Sequence, residues 1–306
     1  MEPLTTLGFW QKSVCIRNPV KKYQWGRRRH VYVRFGKANK RIFVLVGGYA
    51  QPVGSWYRFI KDVMSPNDTI IVISRGNDAG NHPGYTSYTT LGSQIAEVGQ
   101  IFDWVLHNLL KPNQKVDLIG HSAGALFCRQ LTLLFPKNIR DVFQIAPLPE
   151  NRWSIIKNAS FWQNGGFSAL TSTIRGLFIE SGEGVLIPYK PAKTLFSSPL
   201  TEPSVFASYY GTLLRDSVIA FFQMALTYSG GELIKAKSKG WEGNNTVFYC
   251  SGDAIMNFVD SRAMTINGQG QLVILPQITP HCFTLSPEDT WQKLAALFKS
   301  YIFPTQ

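Results

Sequence analysis

Long apolar runs are missing from this chain. No stretch approaches the ~20 consecutive apolar residues that a helix needs to cross a bilayer, so no membrane span is expected. The opening residues, MEPLTTLGFWQKSVC, lack a basic start followed by an apolar core, and no secretory signal is expected from them. Cysteine is sparse. Cys15, Cys128, Cys250 and Cys282 stand far apart without a C-x-x-C pair, which reads as buried free thiols in a reducing, cytoplasmic compartment. Internal repeats and low-complexity segments are absent as well. Charge is also scarce, at 16% of residues, while the apolar fraction of 44% is ordinary for a globular protein. A chain of 306 residues is long enough for one elaborated domain, or a core carrying an inserted lobe.

Acidic residues are nearly absent from residues 1–41, where eleven Lys/Arg face one Glu, and this segment supplies most of the net charge of +12. Its centre is Lys21-Lys22 and Arg27-Arg28-Arg29, with Tyr23 and Trp25 between them. The segment reads either as a solvated hairpin with a basic face or as a patch for an anionic membrane surface, which would make the protein peripheral to a membrane, for nucleic acid or for an acidic partner. The flanking SVCIRNP and HVYVRFG read as ordinary strands, which favours the hairpin. No nucleic-acid partner is expected.

From Arg41 onward, strands and helices alternate. RIFVLV (41–46) and TIIVIS (69–74) are continuous apolar runs, as expected of strands covered on both faces. After the first comes Gly47-Gly48-Tyr49-Ala50 and a helix with Ser55 as N-cap; after the second, a Gly/Asn-rich loop containing His82. Thr90 or Ser93 opens a long helix that Pro112 stops. Strand DVFQIA (141–146) follows the next helix. The pattern predicts a mostly parallel sheet with helices on both faces, an α/β class. It breaks at Pro147-Leu148-Pro149. Residues 150–243 are rich in Gly, Ser, Pro and aromatics and read as an inserted, mainly helical cap on a core of 1–149 and 244–306. Strands return at TVFYC (246–250) and QLVIL (271–275), and the last helix is expected at Ser286-Pro287, with the serine as N-cap and the proline in the first turn.

The stretch that carries chemistry is KVDLIGHSAG (115–124). A buried strand runs into Gly120-His121-Ser122-Ala123-Gly124, a G-x-S-x-G elbow, and an apolar helix follows. On such a turn the serine is strained, with its hydroxyl presented above the sheet. A serine hydroxyl needs a base, and the base an orienting acid. Of five histidines, His281 sits on a loop between QLVIL and the last helix, on the expected rim of Ser122. His121 is read as shaping the elbow. Of the ten carboxylates between Ser122 and His281, Asp253 comes directly off a strand end; Asp260 is second and Glu150 third. The oxyanion donors are expected at the N–H of Ala123 and the N–H of Tyr49, with Ala50 next.

Together RIFVLVGGYA, KVDLIGHSAG, Ser251-Gly252-Asp253 and Thr279-Pro280-His281-Cys282-Phe283 make the chain resemble the α/β-hydrolase superfamily over nearly its whole length. The likeness implies Ser122 as nucleophile, Asp253 as acid, His281 as base and a cap inserted after the sixth strand. Two features depart from it: Gly47-Gly48 stands where many members carry His-Gly, and the cap matches no recognised subfamily. The expected activity is that of a serine esterase, lipase or thioesterase in lipid metabolism, cleaving an ester or related acyl bond of a hydrophobic small molecule through an acyl-enzyme. Gly48, His121, Phe221 and Phe222 are the expected substrate contacts. Neither metal nor cofactor is implied. Acyl transfer, carbon–carbon bond hydrolysis on the same machinery, and a non-catalytic ligand- or membrane-binding role are the alternatives.

Overall fold

The computed structural model describes residues 12–17, 28–38, 40–76, 78, 85–86, 88–151, 153–179, 184–267, 269–276 and 279–304. Among the described residues, eight strands form one sheet in the order β1-β2-β4-β3-β5-β6-β7-β8. They are β1 (Lys12–Arg17), β2 (Arg28–Arg34), β3 (Ile42–Val46), β4 (Thr69–Ile73), β5 (Val116–His121), β6 (Ile139–Ile145), β7 (Asn245–Cys250) and β8 (Gln271–Leu275). The β1–β2 and β2–β4 pairs are antiparallel and the remaining pairs are parallel. Every residue of β3, β4 and β5 is buried, because helices cover both faces of the parallel region.

Alternate side chains divide between two cores. Ile42, Val44 and Val46 point with Ile71 and Ile73 toward α2 (Leu91–Asn108) and α3 (Ala123–Leu134). Phe43, Leu45, Ile70 and Val72 face α1 (Tyr57–Asp62) and the last helix (Glu288–Ile302), whose Phe59, Trp291, Leu294 and Phe298 fill that side. From β3 the chain winds first to β4 on one side and then to β5 on the other. Such a reversal leaves a crevice at the carboxyl ends of the strands, which is where open α/β sheets bind ligands.

Between β6 and β7 the described residues form α4 (Ser154–Lys157), α5 (Ala159–Gln163), α6 (Gly166–Ile179), α7 (Tyr189–Phe196), α8 (Pro203–Tyr210), α9 (Val218–Phe222) and α10 (Glu232–Ser238). A π-helical turn, Gln223–Thr227, extends α9. Leu195, Phe206, Met224 and Leu233 belong to the same apolar cluster as Val46 and Leu126, so these helices pack directly on the sheet's covering layer. Among the described residues no helix is long and apolar enough to cross a membrane.

Several local expectations shift. Thr90 caps α2 by accepting the Ser93 N–H. Ser55 is not an N-cap: it lies inside a 3-10 turn, Val53–Trp56, and its hydroxyl donates to the Pro52 carbonyl. The last helix starts after Pro287, one residue later than expected, and Ser286 makes no capping bond. The basic segment falls partly outside the described residues, which exclude Lys21, Lys22, Tyr23, Trp25 and Arg27. Arg29 departs from a surface patch: it is buried and paired with Glu97 at 2.7 Å, which fastens β2 to α2. Cys128, Cys250 and Cys282 are free and buried.

At the turn from β5 into α3 the packing leaves no room for side chains. A Cβ on Gly124 would fall on the carbonyl oxygen of Val46, and one on Gly120 would lie 2.5 Å from the Ala125 Cα. Gly124→Ala must push α3 off β3, and is expected to destabilise the protein by about 2–3 kcal/mol. Urea denaturation reads this as a lower midpoint at unchanged slope; an unchanged midpoint contradicts the close approach.

Candidate active site

Ser122 stands at the β5–α3 elbow with φ 54° and ψ −123°, outside the comfortable regions for a residue with a Cβ. Its N–H donates to the Ile145 carbonyl at 3.0 Å and its carbonyl accepts the Ala125 N–H at 3.0 Å, so both neighbours hold the strained turn. Asp253 follows β7 and His281 follows β8, on the same rim. His281 Nε2 lies 2.9 Å from Ser122 Oγ, and His281 Nδ1 lies 2.7 Å from Asp253 Oδ2. The other carboxylate oxygen of Asp253 accepts the N–H groups of Ile255 and Met256 at 2.7 and 3.1 Å, which fixes the carboxylate plane. All three side chains are buried. Asp260 instead accepts from Ser154 at the start of α4, and Glu150 lies 3.5 Å from Arg129.

Gly48 abuts the serine: a Cβ there would lie 2.8 Å from Ser122 Cβ. Its own N–H donates to Gln51 Oε1 at 2.6 Å, and the Ala50 N–H donates to Asp216 Oδ2 at 3.1 Å. Of the loop amides, that of Tyr49 has no acceptor among the described residues, and neither has the Ala123 N–H at the start of α3. These two N–H groups belong to the residue after Ser122 and to the loop that abuts Ser122 through Gly48.

A cleft of about 730 Å³, its open mouth included, lies over Ser122. Gly48, Tyr49, Gln51, His121, His281 and Cys282 form its floor. Its walls come mostly from the insertion, including Phe161, Ile187, Leu195, Phe196, Phe221 and Met224. No Lys, Arg, Asp or Glu is among the described lining residues. Phe196 stacks on His281 with ring centres 6.0 Å apart. Phe221 lines the cleft and meets Tyr49 at 5.6 Å, whereas Phe222 does not line it. Successive residues on α9 are turned ~100° apart, and Phe222 packs edge-on behind its neighbour. Among the described residues there is no cluster of His, Cys, Asp and Glu that would hold a metal ion; His82 lies outside them.

The sequence profile described as the alpha/beta hydrolase fold matches residues 41–220, more than half of the chain. The chain belongs to the α/β-hydrolase fold family. Solved structures repeat the architecture at low identity. A thermophilic esterase from Thermogutta terrifontis is similar at 12% identity and TM-score 0.68, covering 95% of this chain and 98% of its own. Bromoperoxidase from Bacillus anthracis is similar at 14% and 0.67, covering 94% and 99%. Carboxylesterase CesB from Bacillus subtilis is similar at 14% and 0.63, covering 98% and 95%. At these identities the likeness is one of fold. A search of curated protein sequences finds no match.

This α/β hydrolase also carries site residues that sequence reasoning missed. Gln51 is the hub beneath the elbow. Its Oε1 accepts the Gly48 N–H and lies 2.7 Å from His121 Nδ1, while its amide nitrogen donates to Ser55 Oγ at 2.6 Å. His121 Nε2 lies 2.8 Å from the His281 carbonyl, so the elbow histidine is braced between the Gly47–Gln51 loop and the loop of His281. Tyr209 and Cys282, both lining the cleft, meet with the phenol oxygen 3.2 Å from Sγ. Burial pushes the Cys282 thiol up to about 12.

Burial first, and then the neighbouring His281, push the pKa of His121 down, whereas its two ring nitrogens both face acceptors, Gln51 Oε1 and the His281 carbonyl oxygen, each of which takes an N–H.

Proposed function

We propose that this α/β hydrolase is a serine hydrolase that cleaves a carboxylic ester or related acyl bond of an uncharged, hydrophobic substrate through an acyl-enzyme on Ser122. The observation that carries the reading is the unbroken relay from Ser122 Oγ to His281 Nε2 and from His281 Nδ1 to Asp253, at 2.9 and 2.7 Å, at the floor of an apolar cleft.

In this reading Asp253 accepts the Nδ1–H of His281, which leaves Nε2 with its lone pair toward Ser122. Nε2 takes the hydroxyl proton as Oγ attacks the substrate carbonyl, and Asp253 stabilises the imidazolium that forms. The N–H groups of Tyr49 and Ala123 meet the negative charge that develops on the carbonyl oxygen. Collapse of the tetrahedral intermediate expels the alcohol or thiol, which takes its proton from Nε2. Water then attacks the acyl-enzyme with His281 again as base, and Oγ leaves as the serine hydroxyl. Phe196 on the imidazole face shields it from bulk water.

The cleft supports the substrate class. Walls of Phe161, Ile187, Leu195 and Phe221 favour apolar acyl or alcohol groups at roughly 25 cal/mol per Å² buried. The absence of a charged group among the described lining residues disfavours a substrate with an ionised group near the scissile bond, which would be left unpaired on entry. Acyl transfer and carbon–carbon cleavage use the same relay, and the cleft geometry favours neither over hydrolysis.

Ser122→Ala should abolish both turnover of short nitrophenyl esters and labelling by a fluorophosphonate. Asp253→Asn, which disturbs the histidine tautomer, should lower kcat by about 10³–10⁴-fold. Both are read in steady-state assays with purified protein. Labelling that survives in Ser122→Ala rules this serine out as nucleophile.

A further inference from the structure

A glycine-rich loop does not by itself hold a peptide N–H in one direction. The loop Gly47–Gln51 is nevertheless tied at nearly every residue. Arg75, buried just after β4, donates from Nη1 to the carbonyl oxygens of Gly47 and Gly48, both at 3.0 Å. Its guanidinium lies 4.1 Å from the centre of the Phe127 ring. The Gly48 carbonyl and the Tyr49 N–H belong to one peptide unit, and in a trans unit they point in opposite directions. Drawing the Gly48 oxygen onto Arg75 therefore turns the Tyr49 N–H the other way, away from Arg75.

A guanidinium buried in this manner requires a counter-charge. It comes from the cap. Asp216 Oδ2 lies 3.7 Å from Arg75 Nη2 and accepts the Ala50 N–H. Asp216 Oδ1 accepts the Gln94 side-chain amide and the Ser217 N–H, and Gln94 Oε1 in turn accepts from Arg75. Leu214 N–H donates to the Ala50 carbonyl at 2.8 Å, and the Tyr49 hydroxyl donates to the Ser217 carbonyl at 3.0 Å. These ties hold Ala50 at φ 57°, a left-handed conformation uncommon for alanine.

We infer that Arg75 and Asp216 form a positioning pair for the Tyr49 N–H, and that the cap segment Leu214–Ser217 is a fixed wall of the oxyanion loop. This rests on the reading of Ser122 as nucleophile and Tyr49 as oxyanion donor. Neither side chain touches the reacting atoms; each acts through the direction of one amide. An amide that meets charge only in the transition state changes kcat, while substrate binding to the apolar walls stays as it was.

The test compares Asp216→Ala, Asp216→Asn and Ser122→Ala in steady-state hydrolysis of a short nitrophenyl ester. Affinity for an aryl trifluoromethyl ketone, which adds to a serine and presents an oxyanion, is measured alongside. In Asp216→Ala kcat should fall by about 100-fold with KM within about threefold, and ketone affinity should fall by the factor lost in kcat/KM. Asp216→Asn should recover only part of the loss, because its amide oxygen still accepts the Ala50 N–H while Arg75 is left without its counter-charge. Turnover surviving in Ser122→Ala overturns the nucleophile reading itself. An inactive Ser122→Ala beside an Asp216→Ala with wild-type kcat, or with its loss confined to KM, overturns the positioning pair alone. If the Asp216 variants do not fold, amide hydrogen exchange of the wild type decides. The Ala50 and Leu214 amides should exchange as slowly as those of β3 in the free protein, and fast exchange that the ketone suppresses overturns the fixed wall.

Discussion

The first turn of α3 runs against the end of β3 so closely that the Val46 carbonyl occupies the place of a side chain at residue 124. Two main chains in contact cannot yield as side chains do, and positions along both follow from this approach. Ser122 is forced into a strained conformation between β5 and α3, with its hydroxyl turned to the rim. Gly47 and Gly48, which leave β3 at the same point, pass so near the serine that Gly48 has no space for a Cβ. The nucleophile candidate and the loop beside it are set by one packing constraint. Parallel pairing from β3 through β8 brings the loops after β7 and β8 to the same edge as the elbow.

Around this contact the polar groups form a stiff matrix in a low-dielectric interior, where hydrogen bonds are stronger and misplacement costs more. Gln51 joins Gly48, His121 and Ser55, and His121 reaches the carbonyl of His281. On the other flank Arg75, Gln94 and Asp216 bind the same loop to the core and to the segment between β6 and β7. Within that segment, residues 214–217 are tied to the loop Gly47–Gln51 by hydrogen bonds, while Phe161, Ile187, Leu195 and Phe221 present apolar surface to the cleft.

Most of the core was legible because its signals are local. RIFVLV and TIIVIS are apolar throughout since both faces are covered, and G-x-S-x-G needs its glycines where backbones touch. Asp253 and His281 were found from their places just beyond strands, and the structure brings both to Ser122. The network of Gln51, Arg75 and Asp216 was not legible, because its partners are distant in sequence and each residue type is unremarkable alone. Local signals also misled. Ser55 resembled a cap until a tertiary bond to Gln51 claimed it, and Phe222 shared the apolar character of Phe221 but not its side of the helix. Arg29, counted with a basic surface run, turns inward to Glu97 since alternation along β2 places it on the buried side.

The central claim is that Ser122 carries the acyl group, and rapid acid quenching during turnover of a nitrophenyl ester addresses it directly. A burst of nitrophenol approaching one equivalent per chain is expected, with a matching mass increase confined to the peptide that contains Gly120–Gly124. Turnover with no acyl adduct, or an adduct on another residue, would contradict it.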